Sequence, residues 1–85
     1  MKITSETIET MSAIRKATQH EIERLVAADY SSDDASAAEV VAEDGNGAIM
    51  YRLPAASSDI RYAVESGPGE ILSGMSAEEA AQEWN

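Results

Sequence analysis

The scarcity of large apolar side chains is the tightest constraint on what this chain can fold into. Only fourteen of its 85 residues are Ile, Val or Leu, and it has no Phe and no Cys. That share falls below the roughly 20% that warns of disorder when net charge is high. Four Met, three Tyr and Trp84 enlarge the apolar set enough for one small core. A chain of this length sits near the size at which a single core just suffices, so residues 1–85 are read as a single domain. Without Cys there is neither a disulfide framework nor a thiolate metal site, which points to a reducing compartment. Met1-Lys2-Ile3-Thr4-Ser5-Glu6 lacks the apolar run of a signal peptide, and no stretch approaches the length of a membrane span. A cytoplasmic protein is expected.

Local patterns place the elements. From Ser5 to Ala28 the residues Ile8, Met11, Ile14, Ile22, Leu25 and Val26 recur at helical spacing, with Thr4 or Ser5 able to cap the start. This predicts one N-terminal helix. Thr18-Gln19-His20-Glu21 also fits a capping box, which leaves a break into two helices near Thr18 as the alternative. Asp29 to Ser36 reads as a polar connector. Val40-Val41 and Ala48 to Leu53 flank a Gly45-Asn46-Gly47 turn and suggest a hairpin, although Ser36 with Glu39 could instead cap an Ala-rich helix. Pro54 ends the second of these strands.

Asp59 to Glu65 alternates as a half-buried strand, with Ile60, Tyr62 and Val64 on the inner face. A turn follows over Ser66-Gly67-Pro68-Gly69, then a short strand from Glu70 to Ser73 that Gly74 stops, then a capping box at Ser76–Glu79 opening a final helix. The expected fold is α+β: an N-terminal helix, a three- to four-stranded antiparallel sheet and a short C-terminal helix, with both helices on one face.

Reactive chemistry is hard to find. His20 is the only histidine, in mid-helix surroundings, and no Ser stands in a nucleophile-elbow setting. Asp33-Asp34 and Glu78-Glu79 sit where carboxylates serve as helix-start residues rather than as acid–base pairs or cation ligands. The glycine pairs match no phosphate loop. No catalytic residue, metal site or cofactor is therefore expected, and the chain is not read as an enzyme.

Charge carries the functional signal. Sixteen acidic and six basic side chains give a formal charge of −10. Residues 1–28 are balanced, so the excess belongs to the chain after residue 28, where Arg52 and Arg61 are the only cations. Such a field repels nucleic acid and anionic membranes and draws in basic protein surfaces. The candidate partner-binding carboxylates are Asp29, Asp33 and Asp34 in the connector, Glu39, Glu43 and Asp44 around the hairpin, Glu65 and Glu70 flanking the second turn, and Glu78, Glu79 and Glu83 on the last helix. Duplex DNA presents one charge per about 1.7 Å of axis, and a rigid body with fixed carboxylates can occupy the cationic channel of a DNA-binding protein.

In size, charge and element order the chain resembles the small acidic anti-CRISPR proteins of phages and mobile elements, several of which mimic DNA. The resemblance covers the whole chain, including the Asp44-Gly45-Asn46-Gly47 turn and the acidic closing helix, and contains no diagnostic motif. It implies binding to a CRISPR effector complex in the host cytoplasm, without catalysis. The alternatives are an acidic antitoxin-like partner of a basic protein, and a structural acidic domain whose charge reflects salt adaptation. A homodimer through the neutral first helix is compatible with the thin core.

Overall fold

The computed structural model describes residues 3–66 and 70–84. It is an α+β domain with α1 (Ser5–Thr10), β1 (Arg15–Lys16), α2 (Gln19–Ala27), α3 (Ser32–Ser36), β2 (Glu39–Glu43), β3 (Ile49–Arg52), β4 (Tyr62–Glu65), β5 (Ile71–Met75) and α4 (Ala77–Trp84). The five strands form one antiparallel sheet in the order β1-β2-β3-β4-β5. Both terminal helices and the antiparallel sheet expected from sequence are present, with one strand more than the upper expectation.

The extra strand comes from the segment expected to be one long helix. The alternative break near Thr18 is what forms. α1 starts on the Thr4 side chain, which accepts from the Thr7 amide at 3.2 Å, and it stops after Thr10. The chain then runs along β2, with Ile14 N–H on Val40 O at 2.8 Å and Ala17 N–H on Ala38 O at 3.0 Å. At Thr18 the capping box closes: Glu21 N–H donates to Thr18 Oγ1 at 3.2 Å and Thr18 N–H to Glu21 Oε1 at 2.8 Å. Both orphan amides are satisfied, so α2 can begin there independently of α1. Ile14 fits the helical spacing yet is 59% exposed, because its backbone is used as sheet edge.

Two further segments differ from the sequence reading. The connector contains α3, capped by Ser31, whose hydroxyl accepts the Asp34 amide at 3.1 Å. The strand read as half-buried is covered on both sides, since every residue of β4 is buried. The expected turn at Gly67–Gly69 lies outside the described residues. Gly74 does not stop β5 but lies within it at φ +69, where the pairing with β4 shifts register. A left-handed residue inside a strand marks a bulge, and glycine accepts that conformation without a Cβ penalty.

Helices cover both faces of the sheet, making three layers. On one face Ile8 of α1 and Ala77, Ala80 and Ala81 of α4 pack on Val41, Met50, Tyr62 and Val64. On the other, Leu25 of α2 and Ala35 of α3 pack with Tyr30 on Val40, Tyr51 and Ala63. The two terminal helices share one face as expected; α2 and α3 cover the second. Alanine explains how so few large side chains close two cores. Ala77, Ala80 and Ala81 recur at helical spacing, and a stripe of methyl groups brings the helix backbone close to the sheet. The hairpin expected around Gly45–Gly47 forms, with the Asp44 carboxylate accepting the Asn46 and Ala48 amides at 2.8 and 3.0 Å. The capping box at Ser76–Glu79 forms as well, with reciprocal bonds of 3.1 and 3.2 Å.

Candidate functional site

Arginine decides which carboxylates face outward. Arg15, Arg24 and Arg52 ion-pair with Glu21, Glu43, Glu65 and Glu39, and those pairs stitch elements together. Arg52 joins Glu39 of β2 at 3.1 Å and also donates to Met11 O at 2.8 Å, fixing the chain where α1 ends. Arg15 binds Glu21 through two bonds of 2.7 and 2.9 Å and Glu43 through a third of 3.0 Å. Arg24 reaches Glu65 at 2.7 Å.

Between α2 and the sheet these groups make a continuous chain. Tyr51 Oη lies 3.3 Å from Glu21 Oε2 and 2.9 Å from Glu65 Oε1, joining the two ion pairs. Burial, reinforced by the bond to Glu65, pushes the Tyr51 hydroxyl well above the usual tyrosine range, so it stays protonated and donates. The Arg15 guanidinium holds the Glu21 carboxyl at about 2 despite burial that works the other way, and the Thr18 amide adds to the effect. Burial disfavours the charged form of Arg24, but its bonds to Glu65 and Tyr51 outweigh that and its pKa is raised. Every ionised group in this network is matched by an opposite one, which is the condition for burying it. The network therefore serves to hold α2 on the sheet.

This corrects the placement of Glu65. Flanking a turn in sequence, it was expected among exposed carriers; it is 6% exposed because β4 is covered on both sides and its side chain turns towards Arg24. Glu43 is exposed but tied to Arg15, and Glu39 is half-buried against Arg52. Asp44 is exposed and occupied by its own turn.

The remaining candidates divide between the two helical layers. Asp33, exposed, and Asp34, half-buried, lie in the first turn of α3, with Asp29 nearby in the α2–α3 connection. Glu78, Glu79 and Glu83 lie on α4, all exposed, with Glu79 serving the capping box. Glu70 is exposed just before β5. The structure does not bring all of them to one patch. It adds carboxylates that sequence reasoning passed over: Glu6 and Glu9 on α1, which packs beside α4, and Asp59 in the β3–β4 loop. Glu9, Asp59 and Glu78 line an open cleft of about 940 Å³ with Arg61. The pairing of α1 with α4, set by tertiary packing, was the missing signal.

Among the described residues, no three His, Asp or Glu side chains gather where they could hold a metal ion. His20 is exposed on the first turn of α2. No described helix is long and apolar enough to cross a membrane. No family model, curated protein or solved structure matches this chain.

Proposed function

We propose that this protein is an acidic binding protein that inhibits a nucleic-acid-binding partner by occupying its basic surface, as a DNA mimic of the anti-CRISPR kind acting in the host cytoplasm. The observation carrying this reading is how the charges are sorted. Three of the six cations are drawn into pairs with four carboxylates, and the other twelve carboxylates have no ion-pair partner among the described residues. Twelve unpaired carboxylates then stand against the three remaining cations, so nearly all of the net negative charge belongs to groups free of ion pairs. Carboxylates on both helical layers suit a body held inside a cationic channel, where contacts come from two sides. The longest dimension, 33 Å, is close to one turn of duplex, about 34–36 Å. The carboxylates are short and stand on helices and tight turns, which lowers the ordering cost on association.

The test is competition with duplex DNA for CRISPR effector complexes across a salt series. Binding that excludes DNA and weakens steeply with salt is the expected result. Reversing Asp33, Glu78 and Glu83 to lysine, residues that hold no ion pair, should weaken binding by more than tenfold. Unchanged inhibition by that variant overturns the proposal. Glu43 and Asp44 are poor choices for reversal, since one pairs with Arg15 and the other closes the hairpin turn.

A further inference from the structure

We infer that the free edge of β5 is a docking strand for an extended basic segment of the partner, an inference that rests on the proposed function and locates its contact. β5 pairs with β4 on one side and with no described strand on the other. It carries no charged residue over Ile71–Met75, and Leu72, Ser73 and Gly74 are exposed. An unpaired strand edge offers its amides and carbonyls to an incoming chain. The opposite edge is closed by design: β1 is two residues long, Arg15 and Lys16, and a short charged strand discourages pairing.

Apolar surface collects at the same place. Among the described residues the exposed large apolar side chains are Ile14, Val26, Ile60 and Leu72; Ile14 lies beside β2 at the opposite edge, and the other three are on this side. Leu72 belongs to β5, and a Cβ at Gly74 would stand 3.9 Å from Cγ2 of Ile60. Val26 lies on α2, which packs against β5 and forms a shallow groove with it through Arg24, Ala27, Ala28 and Ile71.

Around this apolar strip stand exposed carboxylates: Glu70 precedes Ile71, Asp59 precedes Ile60, and Asp29 follows Ala28. An apolar centre with a charged rim is the usual anatomy of an interface. The rim's sign selects the occupant. A second copy of this chain would set Glu70, Asp59 and Asp29 against the same acids, whereas a strand carrying Lys or Arg meets them with opposite charge. Backbone pairing then supplies affinity and the carboxylates supply selectivity.

The probe is an acetylated seven-residue peptide of alternating Lys and Val, added to the full chain while amide hydrogen exchange is followed by NMR. Slowing of at least tenfold confined to the β5 amides that bond neither to β4 nor to Tyr30 Oη is expected, together with at least fivefold weaker binding for Leu72→Lys. A peptide N-methylated at alternate residues, unable to complete the ladder, should bind at least tenfold more weakly. Salt-sensitive binding without β5 protection, or equal binding of the N-methylated peptide, overturns this inference and leaves the proposed function standing. Self-association of the protein through β5, seen by sedimentation, also overturns it. No binding of the peptide even at low salt overturns this inference too, while the competition with duplex DNA decides the proposed function separately.

Discussion

Tyr51 and Glu65 show how a single side chain can matter more than its sequence position suggests. Glu65 receives both Arg24 and the Tyr51 hydroxyl while almost fully buried. Glu65→Gln removes the charge that balances Arg24, and breaking a buried pair by losing one partner costs about 3–5 kcal/mol. Arg24 keeps some contact with water, so a loss at the lower end is expected, read as a lowered urea midpoint. Tyr51→Phe should cost about 1–2 kcal/mol, and the double variant less than the two separately, because both act on one network. Equal and additive small losses would show that the network is not coupled. Glu21 adds a pH signature. Its folded pKa is depressed from about 4.5 to about 2, so its contribution is complete above the unfolded value. That contribution declines as pH falls below about 4.5 and is gone below about 2. Glu21→Gln should flatten the acid limb of a stability–pH profile in that window; an unaltered limb would refute the assignment.

At the scale of the element, Asp29 stands out at the end of α2. Tyr30 N–H bonds to Leu25 O at 3.2 Å and Asp29 N–H to Val26 O at 3.1 Å, a Schellman closure with Asp29 at φ +79. Glycine is the usual residue there, and a carboxylate at a helix C-terminus opposes the dipole. Asp29→Gly should therefore stabilise the fold by about 0.5–1 kcal/mol, measured by thermal unfolding, while weakening partner binding. A residue kept against its local preference fits a role at an interface. If the change instead destabilises the fold, the Asp29 carboxylate stabilises the end of α2 and is not kept for an interface. Much of the element order was legible in the sequence, since caps and turns are local: Thr18–Glu21, Ser76–Glu79 and Asp44–Gly47 act within four residues. The break after Thr10 was obscured because Ile14 keeps helical spacing while its backbone serves β2. Burial of Glu65 was invisible for a similar reason, as nothing near it in sequence announces that Arg24 of α2 reaches it.

For the whole molecule, the sorting of arginines inward gives salt two opposite effects. Unpaired carboxylates on both helical layers repel one another across distances comparable to the Debye length of about 10 Å at 0.1 M. Raising salt from about 0.02 to about 0.5 M should raise the melting temperature by several degrees while it loosens the complex with a basic partner. A melting temperature that falls instead would mean that the ion pairs along α2 outweigh surface repulsion. Charge that looked partitioned along the sequence is mixed in space, because Arg15 and Arg24 cross to Glu43 and Glu65.

The two cores also differ in when they can close. α2, α3 and the first strands that they cover are near neighbours along the chain, so that layer can assemble while the polypeptide is still emerging from the ribosome. α1 is made before any of them, yet the helix it packs beside is α4, the last described element. Until that helix is released, Ile8 lacks the Ala77, Ala80 and Ala81 part of its surroundings, and the nascent protein must hold that side of its sheet partly uncovered.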